Sequence, residues 1–293
     1  MPEYYKMVYP DAQLSDSTET IINQNSTTQP DKTPPPSLDE LEIDNDEEFI
    51  SFDVQTNLYK ATVSNENGGA FTFYELNNYA LNDSELVNLI DKSNRQNLGV
   101  SFRSIDGDLI NLSTGWKTTN QYDISVFSSS KTVSFYKTIE NKRISKEITF
   151  YPDRYVVDIK TNLSEASDII SQNVASISWP KGLPLTEPNR KDELTYYSAV
   201  VYQGDESYYP KAKARGQESI EKMLYPTDWV GIRTKYFFSA FVPEVKASGA
   251  EVLAVEEGET KEYSVGLLFN TLSPFNTCLL YTSDAADERS SVD

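Results

Sequence analysis

The chain of 293 residues contains no histidine and a single cysteine. Without imidazole it offers no Ser-His-Asp or Cys-His device, and few of the zinc, copper and haem sites that lean on that ligand. One cysteine cannot form an internal disulfide, so it says nothing of the redox compartment. Positive charge is scarce: 26 Lys and Arg face 45 Asp and Glu, for a formal net charge of -19. Such a surface repels phosphate backbones and anionic headgroups, which excludes nucleic-acid binding and docking on lipid through a basic patch. No stretch approaches the roughly 20 apolar residues of a membrane span. The start, Met1-Pro2-Glu3, is not the basic-then-apolar opening of a signal peptide.

Aromatic residues, by contrast, are plentiful: 19 Tyr and 13 Phe in a chain that is 12% aromatic. Aromatic and β-branched side chains suit a pleated surface, so the composition favours a β-rich core. The densest stretch, Asp228 to Pro243, gathers Trp229, Tyr236, Phe237, Phe238 and Phe241 around Arg233 and Lys235. It reads as core strands, with Phe237, Ser239 and Phe241 facing one way and Tyr236, Phe238 and Ala240 the other. Gly231 permits a close approach or an unusual backbone there. Arg233 and Lys235 read as solvated or ion-paired.

Organisation follows composition. Residues 11–48 contain no aromatic residue, three consecutive prolines (Pro34 to Pro36) and an acidic block from Asp39 to Glu48. Low hydrophobicity and one-sided charge predict a disordered, Pro-rich acidic linker. The run DNDEE lacks the glycine and the spacing of a compact calcium loop, so it reads as a solvated tether. From Phe49 the pattern changes to alternation: Phe52 and Val54, then Tyr59, Ala61 and Val63, then the turn Gly68-Gly69, then Phe71 and Phe73. A short helix is expected over Glu85 to Ile90, capped by Asp83 or Ser84. Further strands are expected at 100–102, 109–112, 122–127, 132–138, 144–150, 155–161, 174–179, 196–202, 235–242 and 263–269. Period 2 is clearest in Ile144, Lys146, Ile148 and Phe150. Asp106-Gly107, Glu140-Asn141 and Pro152-Asp153 punctuate the hairpins. Many short strands joined by tight turns, with no βαβ rhythm, predict one large antiparallel sandwich over residues 49–277.

Three stretches together resemble the large periplasmic domain of the YidC membrane protein insertases. They are NLYKATVSNENGGAFTFYELNNY (57–79), ELVNLI (85–90) and the aromatic run 228–243, in which Trp229-Val230-Gly231 followed by Lys235-Tyr236-Phe237 is the most specific part. The resemblance covers roughly 48–277. It implies an all-β, galactose-mutarotase-like supersandwich with few short helices. It also implies a place in the periplasm of a bacterial inner-membrane protein, and a share in inserting and folding membrane proteins. Nascent membrane proteins are the implied partners, with the Sec translocon as a further one. The family's charged groove lies in membrane helices that no residue here matches, so no catalytic, cofactor-binding or metal residue is assigned.

The same resemblance offers an account of both ends. MPEYYKMVYP (1–10) has the tyrosines and lysine of a segment where a membrane helix emerges into headgroups; the plain alternative is an ordinary chain end. One back-translation of CLLYTSDAADE reads as the transposon adapter used to prepare sequencing libraries. Residues 278–293 are therefore expected to be adapter-derived and to pack against nothing, the alternative being a genuine polar tail.

A second function class stays open. Similar sandwiches occur in sugar mutarotases and carbohydrate-active enzymes, and a pair of carboxylates could serve a glycosidase. Trp116, Trp179 and Trp229 could stack on sugars, although tryptophans in a sandwich are usually core.

Overall fold

The computed structural model describes residues 49–282, apart from 83–84, 121 and 214–216. The head 1–10, the linker 11–48 and residues 283–293 lie outside the described residues. Strands β1 (Ser51–Thr56), β2 (Tyr59–Ser64), β3 (Phe71–Asn82) and β4 (Glu85–Asn88) form the opening meander. β5 (Gly99–Ser104), β6 (Leu109–Asn111), β7 (Lys117–Thr118) and β8 (Ile124–Val126) are short. The long hairpins follow: β9 (Lys131–Ile139), β10 (Lys142–Phe150), β11 (Val156–Asn162) and β12 (Ile170–Trp179). After helix α1 (Arg190–Tyr196) come β13 (Ser198–Gln203), β14 (Glu206–Tyr208), β15 (Ser219–Met223), β16 (Thr227–Arg233) and β17 (Phe238–Pro243). β18 (Gly249–Glu257), β19 (Thr260–Asn270) and β20 (Phe275–Thr282) close the described chain.

These strands make three sheets. Five strands run in the order β4-β3-β2-β1-β8, nine in the order β14-β13-β16-β17-β20-β11-β10-β9-β7, and six in the order β15-β18-β19-β12-β5-β6. All pairs are antiparallel except β1 with β8. The nine-stranded sheet packs on both smaller ones. Phe135 stacks on Phe52, Phe150 meets Phe71 edge-on, and Tyr281 meets both Tyr74 and Trp179. One core cluster therefore draws on all three sheets. This is the expected all-β antiparallel supersandwich.

The strand alternation explains the layers. In β10, Ile144, Lys146, Ile148 and Phe150 all point inward and are fully buried. The turn Glu140-Asn141 has both φ angles positive, 48° and 64°, as a type I′ hairpin turn requires. Gly69 sits at φ 115°, and a Cβ there would lie 2.3 Å from Ile148 Cδ1, so only glycine fits between turn and core.

Three expectations are corrected. Residues 85–88 are strand β4, not a helix: they pair with β3 at Asn88–Glu75 and Leu86–Ala80. Leu86 faces out while Val87 and Leu89 are buried, an alternation that a helix could not use against a sheet. Second, the strand expected from Tyr196 begins at Ser198, because Arg190–Tyr196 is helical, with Asn189 accepting from the Asp192 amide at its start. Third, residues 278–282 do not pack against nothing. They continue β20 between β17 and β11, with Leu279 paired to Phe241 and Val157. Leu279 and Tyr281 enter the core while Cys278 and Leu280 are buried on the opposite face. Four apolar residues in sequence satisfy both faces of a central strand, whatever their origin.

Candidate functional site

The residues that sequence reasoning singled out sit inside the fold. Trp116 and Trp179 are each 2% exposed and Trp229 is 7% exposed. The Trp116 indole donates to the Leu112 carbonyl at 2.6 Å, and that of Trp179 to the Gly182 carbonyl at 2.8 Å. Trp229 stacks on Tyr202 with ring centroids 5.5 Å apart and meets Phe238 edge-on. None presents a face for a sugar. Phe237 and Phe241 point into the main core as expected, whereas Trp229 and Phe238 lie on the other face of the nine-stranded sheet. Gly231 supplies the close approach: a Cβ there would lie 2.6 Å from the Phe238 ring. Tyr236 departs from the expected alternation and packs on the main core. Residues 234–237 form a turn in which the Phe237 amide donates to Thr234 Oγ1 at 3.1 Å.

Lys235 pairs with Asp192 at 2.7 Å and lies over the Tyr236 ring. The Asp192 bond is the main reason that its ammonium is held above the usual range. It ties α1 to the start of β17. On the same helix, Glu193 is fully buried and accepts from the amides of Thr186 and Glu187, fastening the loop before the helix.

The buried amine is Lys146. Its Nζ donates to the carbonyls of Asn67 at 2.6 Å and Leu98 at 2.5 Å and lies 5.7 Å from the Trp116 ring centroid. Asn67 and Leu98 both have positive φ, 52° and 58°, so the amine fastens two unusual turns to β10. Burial pushes its pKa down to about 7. Sequence reasoning placed Lys146 on the inward row without assigning it a role. A lysine at an apolar alternation position was the available signal.

Among the described residues, no three of His, Cys, Asp and Glu gather as a metal site would need. Acids that are buried, such as Glu193, are consumed by backbone donors. One cavity of about 410 Å³ opens between β14 and β15, lined in part by Glu206, Tyr208 and Glu221. The described residues thus form a β-supersandwich domain in which buried Lys146 and Glu193 brace turns and loops.

The YidC periplasmic domain profile matches residues 51–274, and the chain belongs to that family. Curated relatives agree. The membrane protein insertase YidC of Syntrophus aciditrophicus is 28% identical over 218 residues, covering 70% of this chain and 38% of that protein. The one from Chlorobaculum tepidum is 28% identical over 204 residues, covering 67% and 34%. That of Chlorobium luteolum is 32% identical over 116 residues, covering 39% and 20%. The chain spans between a fifth and two fifths of the length of these relatives. Among solved structures, the Slr1438 protein of Synechocystis sp. PCC 6803 aligns with a TM-score of 0.48 at 6% identity, over 84% of this chain and 99% of that one. A putative aldose 1-epimerase from Escherichia coli K12 aligns with a TM-score of 0.45 at 6% identity, over 80% and 100%.

Proposed function

We propose that this chain is the periplasmic part of a bacterial membrane protein insertase and works by contact rather than by catalysis. The observation that carries the reading is the family match across residues 51–274. On this reading a membrane-embedded part of a longer protein inserts the apolar helices. A β-sandwich with an acidic surface offers no apolar route for a helix into lipid. The domain's share is to hold partner proteins or emerging periplasmic segments, with nascent membrane proteins as clients and a translocon subunit as a further partner. The carbohydrate reading loses its main support, since all three indoles are buried.

Fractionation tests this. The full-length gene product should sediment with the inner membrane, and protease added outside spheroplasts should cleave within this domain. The purified 293-residue chain should leave sugar anomers at their uncatalysed rate of interconversion. Recovery of the full-length product in the cytosol, or turnover of a sugar by the chain, would overturn the reading.

A further inference from the structure

Two sheets end side by side at one rim of the molecule. β14 is the last strand of the nine-stranded sheet and β15 the last of the six-stranded one. Gln203 and Glu206 flank the two-residue turn Gly204-Asp205, whose φ angles are 59° and 62°. In such a hairpin the flanking pair exchanges hydrogen bonds and the next pair, Tyr202 with Ser207, does not. The amide and carbonyl of Ser207 therefore point away from β13, out of the sheet edge. Between the two edges lies the cavity of about 410 Å³, whose lining includes Glu206, Ser207, Tyr208, Glu221, Lys222 and Met223. The Tyr208 hydroxyl spans from one edge to the other and donates to Glu221 Oε2 at 2.6 Å.

The wall is acidic. Two carboxylates, Glu206 and Glu221, face one cation in the lining; Glu206 makes no ion pair with any described residue, and the cation, Lys222, pairs with Glu251 at 3.4 Å. Next to the groove, Tyr209 follows Tyr208, and Leu224 and Tyr225 follow Met223. Leu224 and Tyr225 are 71% and 70% exposed. Large apolar side chains left in water around a groove mark a contact surface.

We propose that this groove binds an extended polypeptide strand carrying Lys or Arg among apolar side chains, added to the free edge of β14. An open edge supplies backbone hydrogen bonds that any sequence can use, and pockets beside it select alternate side chains. Charge complementarity chooses the occupant. Glu206 and Glu221 attract a cationic strand and repel both an acidic one and an anionic lipid surface. The proposal rests on the reading of the domain as a contact surface and names where and to what it binds.

The test uses the whole 293-residue chain and a capped, fluorescein-labelled peptide, Lys-Val-Thr-Val-Lys-Val-Thr, followed by anisotropy and by amide shifts. Binding should saturate, with shifts centred on 203–209 and 221–225. The Glu-for-Lys version of the peptide should bind at least tenfold more weakly. Ser207→Pro, which removes the outward amide, should weaken binding at least tenfold. Glu206→Lys should weaken it at least fivefold and, being an exposed change, decides the matter if the proline variant misfolds. Equal binding of the acidic peptide, insensitivity to both substitutions, no saturation, or capture of phosphatidylglycerol vesicles through Leu224 and Tyr225 in place of the peptide would each overturn the proposal. If the peptide fails while the full-length protein fractionates with the inner membrane, the groove is wrong and the insertase reading survives. If the peptide binds at the groove while the full-length protein is cytosolic, the reverse holds.

Discussion

Lys146 places an amine where the alternation of β10 calls for an apolar side chain, and its consequence is a pH dependence. Its folded pKa, about 7, lies below its unfolded value, so folding favours the neutral amine. Between pH 7 and 10 the unfolded chain holds a proton that the folded chain has released, and stability rises with pH by at most about 1.4 kcal/mol per unit. The two carbonyl bonds and the Trp116 ring favour the ammonium and so narrow the pH window over which stability rises. Above pH 10 the trend reverses, because Tyr59, Tyr74, Tyr197 and Tyr281 are held protonated by burial while their unfolded counterparts ionise. Melting curves should rise from pH 7 to 9 in the native chain and flatten in Lys146→Met, which should also be less stable overall for leaving two carbonyls unpaired. An unchanged slope in the variant would assign the pH dependence elsewhere. Trp229 offers a second check at this scale. It is buried between Tyr202 and Phe238, so Trp229→Ala should cost about 3–5 kcal/mol in denaturant unfolding. A loss under about 1 kcal/mol would contradict its burial on the other face of the nine-stranded sheet.

Among the elements, legibility tracked strictness of alternation. β10 and β11 were readable because period 2 holds residue by residue. Glu85 to Asn88 departs from the helical expectation because Leu86, Val87, Leu89 and Ile90 satisfy helical and extended patterns alike over so short a span. β18 was not foreseen, since Gly249–Glu257 mixes glycine, alanine and glutamate, residues depleted in strands, and its partners β15 and β19 supply the stability. The groove was invisible in the sequence. Its two walls are 15 or so residues apart, and nothing in Tyr208, Tyr209, Leu224 or Tyr225 says that an aromatic or aliphatic side chain will face water. The tail departs from expectation for a different reason: its likeness to an adapter concerns the gene, while packing follows from side-chain chemistry. Because Ser239, Ala240, Phe241 and Val242 of β17 and Val156 to Asp158 of β11 all pair with residues 278–281, a chain ending at Thr277 should lose its cooperative melting transition. A chain ending at Thr282 should keep it. Equal transitions for both would show that β20 is dispensable beyond Thr277. We still propose that 278–293 were translated from adapter sequence. Resequencing unfragmented DNA should replace them with a stretch that keeps an unbroken apolar run at 278–281, and recovery of CLLYTSDAADE from the genome would refute the origin.

For the whole molecule, fold class and family were legible together. The aromatic composition called for pleated layers, and the motifs at 57–79 and 228–243 named the same architecture that three packed sheets display. The acidic balance also fits the acidic groove, which selects for cationic strands over lipid and nucleic acid. On the proposed function this supersandwich serves an insertase without performing insertion itself. The most direct measurement is complementation in a bacterium depleted of its own insertase, reading growth and the membrane insertion of a reporter protein. The full-length gene should restore both, and the 293-residue chain exported alone to the periplasm should restore neither. Failure of the full-length gene, or rescue by the chain alone, would overturn that function.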